Sequence, residues 1–242
     1  NGIVGMMQIL STTPLDPEQE QCVQLAVNSA NRLTRLLSDI LDLSQVEAGM
    51  LAIHEAEFGL RELGDSVSDL FRITARDKGV HLDCIIDANV PARLIGDEAR
   101  VRQILFNLVG NALKFTEHGR VGLEMTSLGP VGDGVCKVLF SVSDTGIGIP
   151  DDKLGSLFKP FVQVDSSYAR SFQGAGLGLA IVKRLTALMG GKISVESCAG
   201  EGTAVHVLLP FKLPAGASFH ARDGAAGFQP ETGRKLRILL AE

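Results

Sequence analysis

The sequence predicts an α+β chain in which a helical hairpin precedes a domain of mixed strands and helices. Three observations carry that expectation. From Asp16 to Gly49, apolar residues recur at helical spacing (Val23, Val27, Ala30, Leu33, Leu37, Ile40, Leu41, Leu43), a stripe longer than one strand or loop would cover. Val138 to Ser143 alternates as a strand does and runs into Asp144-Thr145-Gly146-Ile147-Gly148-Ile149. Gly174-Ala175-Gly176-Leu177-Gly178-Leu179 leads straight into an apolar helical pattern.

Length and composition narrow the function classes. A chain of 242 residues suffices for one large domain or two modest ones. Apolar residues at 45% and charged residues at 21% are ordinary for a globular protein. The net charge of −5 argues against a nucleic-acid partner, which calls for a basic surface. No apolar run approaches the ~20 residues of a membrane span, and no signal peptide opens the chain. A cytoplasmic setting without membrane contact is therefore expected, and anchoring of a longer parent in the inner membrane stays open. Cys22, Cys84, Cys136 and Cys198 lie far apart without CxxC spacing, which predicts reduced core thiols rather than zinc ligands or disulfides.

Taken in order, Ile3, Met6, Met7 and Leu10, with no cap before them, predict the tail of a helix from a longer protein, and Ser11 to Leu15 a turn. Asp16 is placed to cap the next helix, with Pro17 in its first position and Gln19 three residues on. Its stripe predicts a hairpin that pairs with a second copy as a four-helix bundle, the alternative being one helix packed on its own domain. Met50 to Phe58 reads as linker and short strand, and Leu60 to Lys78 as an amphipathic helix stopped by Gly79. His81 to Asp87 reads as a strand. Val121 to Leu128 and Val135 to Ser143 are further strands. A short helix follows Pro150, Leu177 to Met189 is another helix, and Lys192 to Phe211 is a hairpin about residues 199–203. Lys212 to Arg234 is a Gly/Ala/Pro-rich linker, and Lys235 to Ala241 has the apolar run of a buried parallel strand.

The chemistry concentrates at four places. Asp144, alone at a strand end, can accept a hydrogen bond from an exocyclic amine, and its glycines let backbone lie close to a flat ligand. Gly174 to Leu179 opens a helix whose free N–H groups suit an anion. Between Asp97 and Phe115, Asn107, Asn111 and Lys114 fall at i, i+4 and i+7, hence on one helix face. Asparagine is a poor helix former, so two on one stripe point to an amide oxygen for a hard cation with a lysine for phosphate. The bland alternative is amides bonded to nearby backbone. Gln163 to Gln173, polar and aperiodic with Arg170, fits a lid over a ligand.

With these blocks in this order the sequence resembles a bacterial sensor histidine kinase, over Asn1 to about Phe211. Asn107 to Thr116 is similar to the family's asparagine box, Asp144 to Ile149 to its first glycine box, and Phe158 to Phe161 to its phenylalanine box. Gly174 to Leu179 is similar to the second glycine box, and Gly202-Thr203 to the short one after it. The resemblance implies a two-layer α/β sandwich of the kinase, gyrase and chaperone ATPase type. It divides the chain into a dimerisation and phosphoacceptor hairpin at 1–49, an ATP-binding domain at 50–211 and a linker at 212–234. The closing residues 235–242 resemble the first strand of a receiver domain, so the implied parent is a hybrid kinase that forms homodimers and relays to a receiver.

The resemblance further implies ATP and Mg²⁺ as cofactors. Asp144 would bond the adenine amine, with Gly146, Gly148 and Ile149 beside the ring and Thr203 supporting it. Asn111 would ligate Mg²⁺, with Asn107 close by and Lys114 and Phe115 completing that wall. Arg170 would meet the γ-phosphate. Gly174, Ala175, Gly176, Leu177, Gly178 and Leu179 would bring backbone to the phosphates. Asn107 stands where hydrolysing relatives place a glutamate base, and an amide takes no proton from water, which disfavours an ATPase. None of the five histidines, His54, His81, His118, His206 and His220, has the acceptor context, so the acceptor is expected ahead of Asn1. A scaffold that only senses ATP is the remaining alternative.

Overall fold

The computed structural model describes residues 2–130, 134–162, 176–215 and 238–241. Two compact units divide at Leu51 and Ala52.

The first unit is α1 (Gly2–Leu10) and α2 (Pro17–Glu47). The Ser11, Thr12 and Thr13 hydroxyls each donate to the carbonyl three residues back, which closes α1 into the turn. Asp16 and Gln19 form a reciprocal capping box. Gln19 N–H donates to Asp16 Oδ1 at 2.8 Å, and Asp16 N–H to Gln19 Oε1 at 3.1 Å. The two helices pack on each other, yet Ile3, Met6, Leu33, Leu37, Ile40 and Leu41 remain exposed.

The second unit is a mixed sheet with helices on one face. Its strands are β1 (Ala56–Gly59), β2 (Val80–Ile86), β3 (Arg93–Gly96), β4 (Gly119–Pro130), β5 (Val135–Asp144), β6 (Lys192–Cys198), β7 (Gly202–Lys212) and β8 (Ile238–Ala241). The main order is β1-β3-β7-β5-β4-β2. β6 pairs β7, and β8 pairs β6. β2 runs parallel to β4, and the other pairs are antiparallel. The helices are α3 (Leu60–Lys78), α4 (Glu98–Phe115), the single turn α5 (Asp151–Leu154) and α6 (Gly178–Leu188). α3, α4 and α6 pack on one another and on the sheet, which makes the two layers. Cys136, Val138, Phe140 and Val142 of β5 are buried, while the intervening residues are not. That period of two fixes which face of the sheet is core.

Helix ends are set by local chemistry. α3 stops at Gly79, whose φ of 65° is left-handed and whose N–H reaches the Ala75 and Arg76 carbonyls. Asp97 caps α4 through Oδ1, which accepts from Arg100 N–H at 3.1 Å, while Oδ2 accepts from His54 N–H at 2.9 Å. The carboxylate also faces the positive end of the α4 dipole.

Three readings of the sequence need correction. β3 escaped notice, because Arg93 to Gly96 is too short to show alternation and is defined by partners in β1 and β7. Residues 238–241 are not a parallel strand; they pair antiparallel with β6, from Ile193↔Ala241 to Glu196↔Ile238. An apolar run takes whatever open edge is at hand, and composition does not set its direction. The cysteines are free, but Cys22 and Cys198 are exposed, so only Cys136 is a fully buried thiol. Burial raises the Cys136 and Cys84 thiols above their ordinary pKa, a Ser127 and a Ser68 hydrogen bond respectively opposing it, which disfavours thiolate.

Candidate active site

Asp144 ends β5 between two loops, and its partners show how it is held. Oδ1 accepts from Gly146 N–H at 2.8 Å and from Thr203 N–H at 3.3 Å. Both bonds fall on one oxygen, which leaves Oδ2 to a ligand. Burial raises the Asp144 pKa, opposed by those two backbone bonds.

The loop after Asp144 is shaped by close approaches that admit only glycine. A Cβ on Gly146 would stand 2.4 Å from the Phe115 carbonyl oxygen, and one on Gly148, at φ 64°, would stand 2.0 Å from that of Cys198. Ile147 N–H donates to the Phe115 carbonyl at 3.3 Å, which joins this loop to the end of α4. Ile149 N–H donates to Ser197 Oγ at 2.8 Å, which joins it to β6.

The second wall is α4. Its apolar face buries Val101, Ile104, Leu105, Leu108, Val109, Ala112 and Leu113, and so Asn107, Asn111 and Lys114 are carried to the half-buried side. Asn107 Nδ2 donates to the Gln103 carbonyl at 3.0 Å, so the bland reading accounts for that half of the amide. Its Oδ1 faces α6 instead, 2.8 Å from the position a Gly178 Cβ would take, with Asn111 Nδ2 at 3.8 Å. Lys114 Nζ lies 4.8 Å from the Phe115 ring centroid. Lys78 of α3 donates to the Leu113 and Lys114 carbonyls, a cation at the negative end of α4.

The third wall is the start of α6, which has no side-chain cap at Leu177, so its first N–H groups are uncommitted by side chains. Leu177 is buried, while Gly178 and Leu179 are half-buried. Gly176, at φ 71°, accepts from Phe161 N–H at 3.0 Å, and Phe161 itself holds φ 63°. Such backbone costs a non-glycine residue of order 1–3 kcal/mol, here at one foot of the segment read as a lid. Arg170, Gly174, Ala175 and the whole of residues 163–175 lie outside the described residues.

The structure thus gathers Asp144, Gly146, Gly148, Ile149 and Thr203 around one carboxylate, and sets Asn107 and Asn111 against Gly178. Sequence reasoning missed Ser197, Lys78 and the Phe161 backbone. Only Ser197 had a legible signal, since the hairpin register places it opposite Thr203.

Two family profiles match the chain. Residues 1–49 match the His Kinase A (phospho-acceptor) domain, and residues 96–213 match the histidine kinase-, DNA gyrase B- and HSP90-like ATPase. The chain belongs to the histidine kinases. Among curated relatives, the chain is 39% identical over 213 residues to the sensory/regulatory protein RpfC of Xanthomonas campestris, across 88% of this chain and 29% of that protein. It is 36% identical over 245 residues to the autoinducer 2 sensor kinase/phosphatase LuxQ of Vibrio cholerae, across 100% of this chain and 28% of that one. The chain therefore spans under a third of their length. Full-length ShkA, crystallised in complex with AMPPNP, superimposes with a TM-score of 0.73 at 35% identity, across 90% of this chain and 43% of that one. The nucleotide-free catalytic domain of the histidine kinase ThkA superimposes with a TM-score of 0.54 at 29% identity, across 66% of this chain and 99% of that one. No helix among the described residues is long and apolar enough to cross a membrane.

Proposed function

We propose that this chain is the ATP-binding kinase core of a hybrid two-component sensor kinase, holding Mg-ATP so that its γ-phosphoryl group passes to a histidine. The observation that carries this reading is the half-buried Asp144, pinned through one oxygen with the other left for an adenine amine. Gly146, Gly148, Ile149 and Thr203 flank the base, and the α6 N-terminus from Gly176 to Leu179 takes phosphate. Lys114 and, within the proposed lid, Arg170 neutralise charge that moves during transfer.

The donor set fits magnesium. Among the described residues no three His, Cys, Asp or Glu side chains group as a metal cage, and Mg²⁺ takes few protein oxygens and completes its shell with phosphates and water. Asn111 would hold it, with Asn107 beside, and the ion would supply charge neutralisation on the phosphates. Asn107 has no basic site, so water is not activated for hydrolysis.

The division into hairpin, ATP-binding domain, linker and receiver strand belongs to the same reading, as does a homodimer through α1 and α2. Residues 1–49, which match the phospho-acceptor profile, contain no histidine, and on this reading the chain supplies the nucleotide site rather than the acceptor. Incubated with Mg-ATP labelled at the γ-position, the chain should bind nucleotide without gaining acid-labile label. Extending it ahead of Asn1 with a His-Glu-bearing helix that ends in Arg-Thr-Pro-Leu should restore labelling. Acid-labile phosphate on the chain alone would overturn the assignment.

Nucleotide affinity should fall on acidification, beginning above the usual aspartate range, because the amine bonds the carboxylate form. Stability should move the other way. Between the usual value and the raised one, folded Asp144 holds a proton that the unfolded chain has released. Its contribution to stability therefore falls as pH rises through that window.

A further inference from the structure

Asp144, Thr203 and Ser197 stand side by side on β5, β7 and β6, as the registers Asp144↔Thr203 and Ser197↔Thr203 require. The Ser197 hydroxyl meets three partners. It donates to the Gly202 carbonyl at 2.8 Å, accepts from Ile149 N–H at 2.8 Å, and lies 2.9 Å from Thr203 Oγ1. A hydroxyl has one proton and two lone pairs. The carbonyl can only accept, so it takes the Ser197 proton, and Ile149 fills one lone pair. Thr203 must then donate into the other.

This proton count sets the character of the pocket edge. With its hydrogen spent on Ser197, Thr203 Oγ1 has only lone pairs left to offer. Asp144, the register partner of Thr203, offers Oδ2 as a further acceptor. The edge is therefore made of acceptors alone, matched to an exocyclic amine with two N–H donors and opposed to a carbonyl at the same ring position. We propose that Ser197 is a specificity-determining residue that acts through Thr203. By holding the threonine proton, it makes the base pocket select a 6-amino purine over a 6-oxo purine.

The proposal rests on the reading of this pocket as an ATP site and deepens it. Mg-ATP and Mg-ITP are the direct probes, since they differ only at the 6-position and its neighbouring ring nitrogen. Titrated into the wild-type chain, ATP should bind more tightly than ITP. In Ser197→Ala the Thr203 hydroxyl is free to turn its proton outward, and the ATP/ITP ratio should shrink about three- to tenfold, the size of one hydrogen bond. Ser197→Thr keeps the hydroxyl and should keep the ratio. Thr203→Val removes the lone pairs and should also shrink it, which carries the test if Ser197→Ala does not fold. An equal loss for both nucleotides in Ser197→Ala, or an unchanged ratio in Thr203→Val, would overturn the assignment while leaving the ATP site intact. Failure of the wild-type chain to bind either nucleotide would overturn the ATP reading and this inference together.

Discussion

The two units of this chain dispose of apolar surface in opposite ways. In the second unit Leu105 and Phe140 are fully buried, and α3, α4 and α6 lie on the sheet and on one another. In the first, Leu33, Leu37 and Ile40 stay 58%, 54% and 44% exposed although they sit on the α2 stripe. A sheet with three helices closes its own core. A two-helix hairpin has too few layers to do so. The difference explains how one chain serves two proposed ends, a self-sufficient nucleotide holder and an oligomerisation element completed by another copy.

Core truncation should break the comparison hardest. Leu105→Ala should cost the second unit about 2–5 kcal/mol, read as a lowered thermal midpoint. Leu33→Asn with Leu37→Asn should leave that midpoint in place and raise the dimer dissociation constant in sedimentation. A fall in the midpoint equal to that of Leu105→Ala would mean that the stripe is already core.

Within the second unit, Gly148→Ala should cost at least about 1–3 kcal/mol for its left-handed backbone and abolish tight nucleotide binding, given the Cys198 carbonyl in its path. The smallest effect concerns Lys78. Lys78→Met should cost about 1 kcal/mol, the worth of a cation at a helix C-terminus, and loosen amide protection at Leu113 and Lys114 in hydrogen exchange.

What was legible in the sequence was local. The Asp16–Gln19 box, the stop of α3 at Gly79 and the Asn107/Asn111 face each follow from residues a few positions apart. What escaped depended on distant partners. Asp97 was legible as the start of the α4 segment, but not its bond to His54, 43 positions away. β3 exists because of β1 and β7, and β8 is antiparallel because β6 had a free edge. Ser197 could be set opposite Thr203 by the hairpin register, but not its bond from Ile149 N–H, 48 positions before it.

Calorimetric titration of Mg-ATP into the wild-type chain and Asp144→Asn tests the central claim most directly. The amide keeps an oxygen for Gly146 and Thr203 but loses the charge that meets the amine. Wild type should bind one nucleotide per chain, and the variant should bind about 10- to 100-fold more weakly, the size of a charge-assisted hydrogen bond. Equal affinity in the two proteins would contradict the assignment of Asp144 as the base contact.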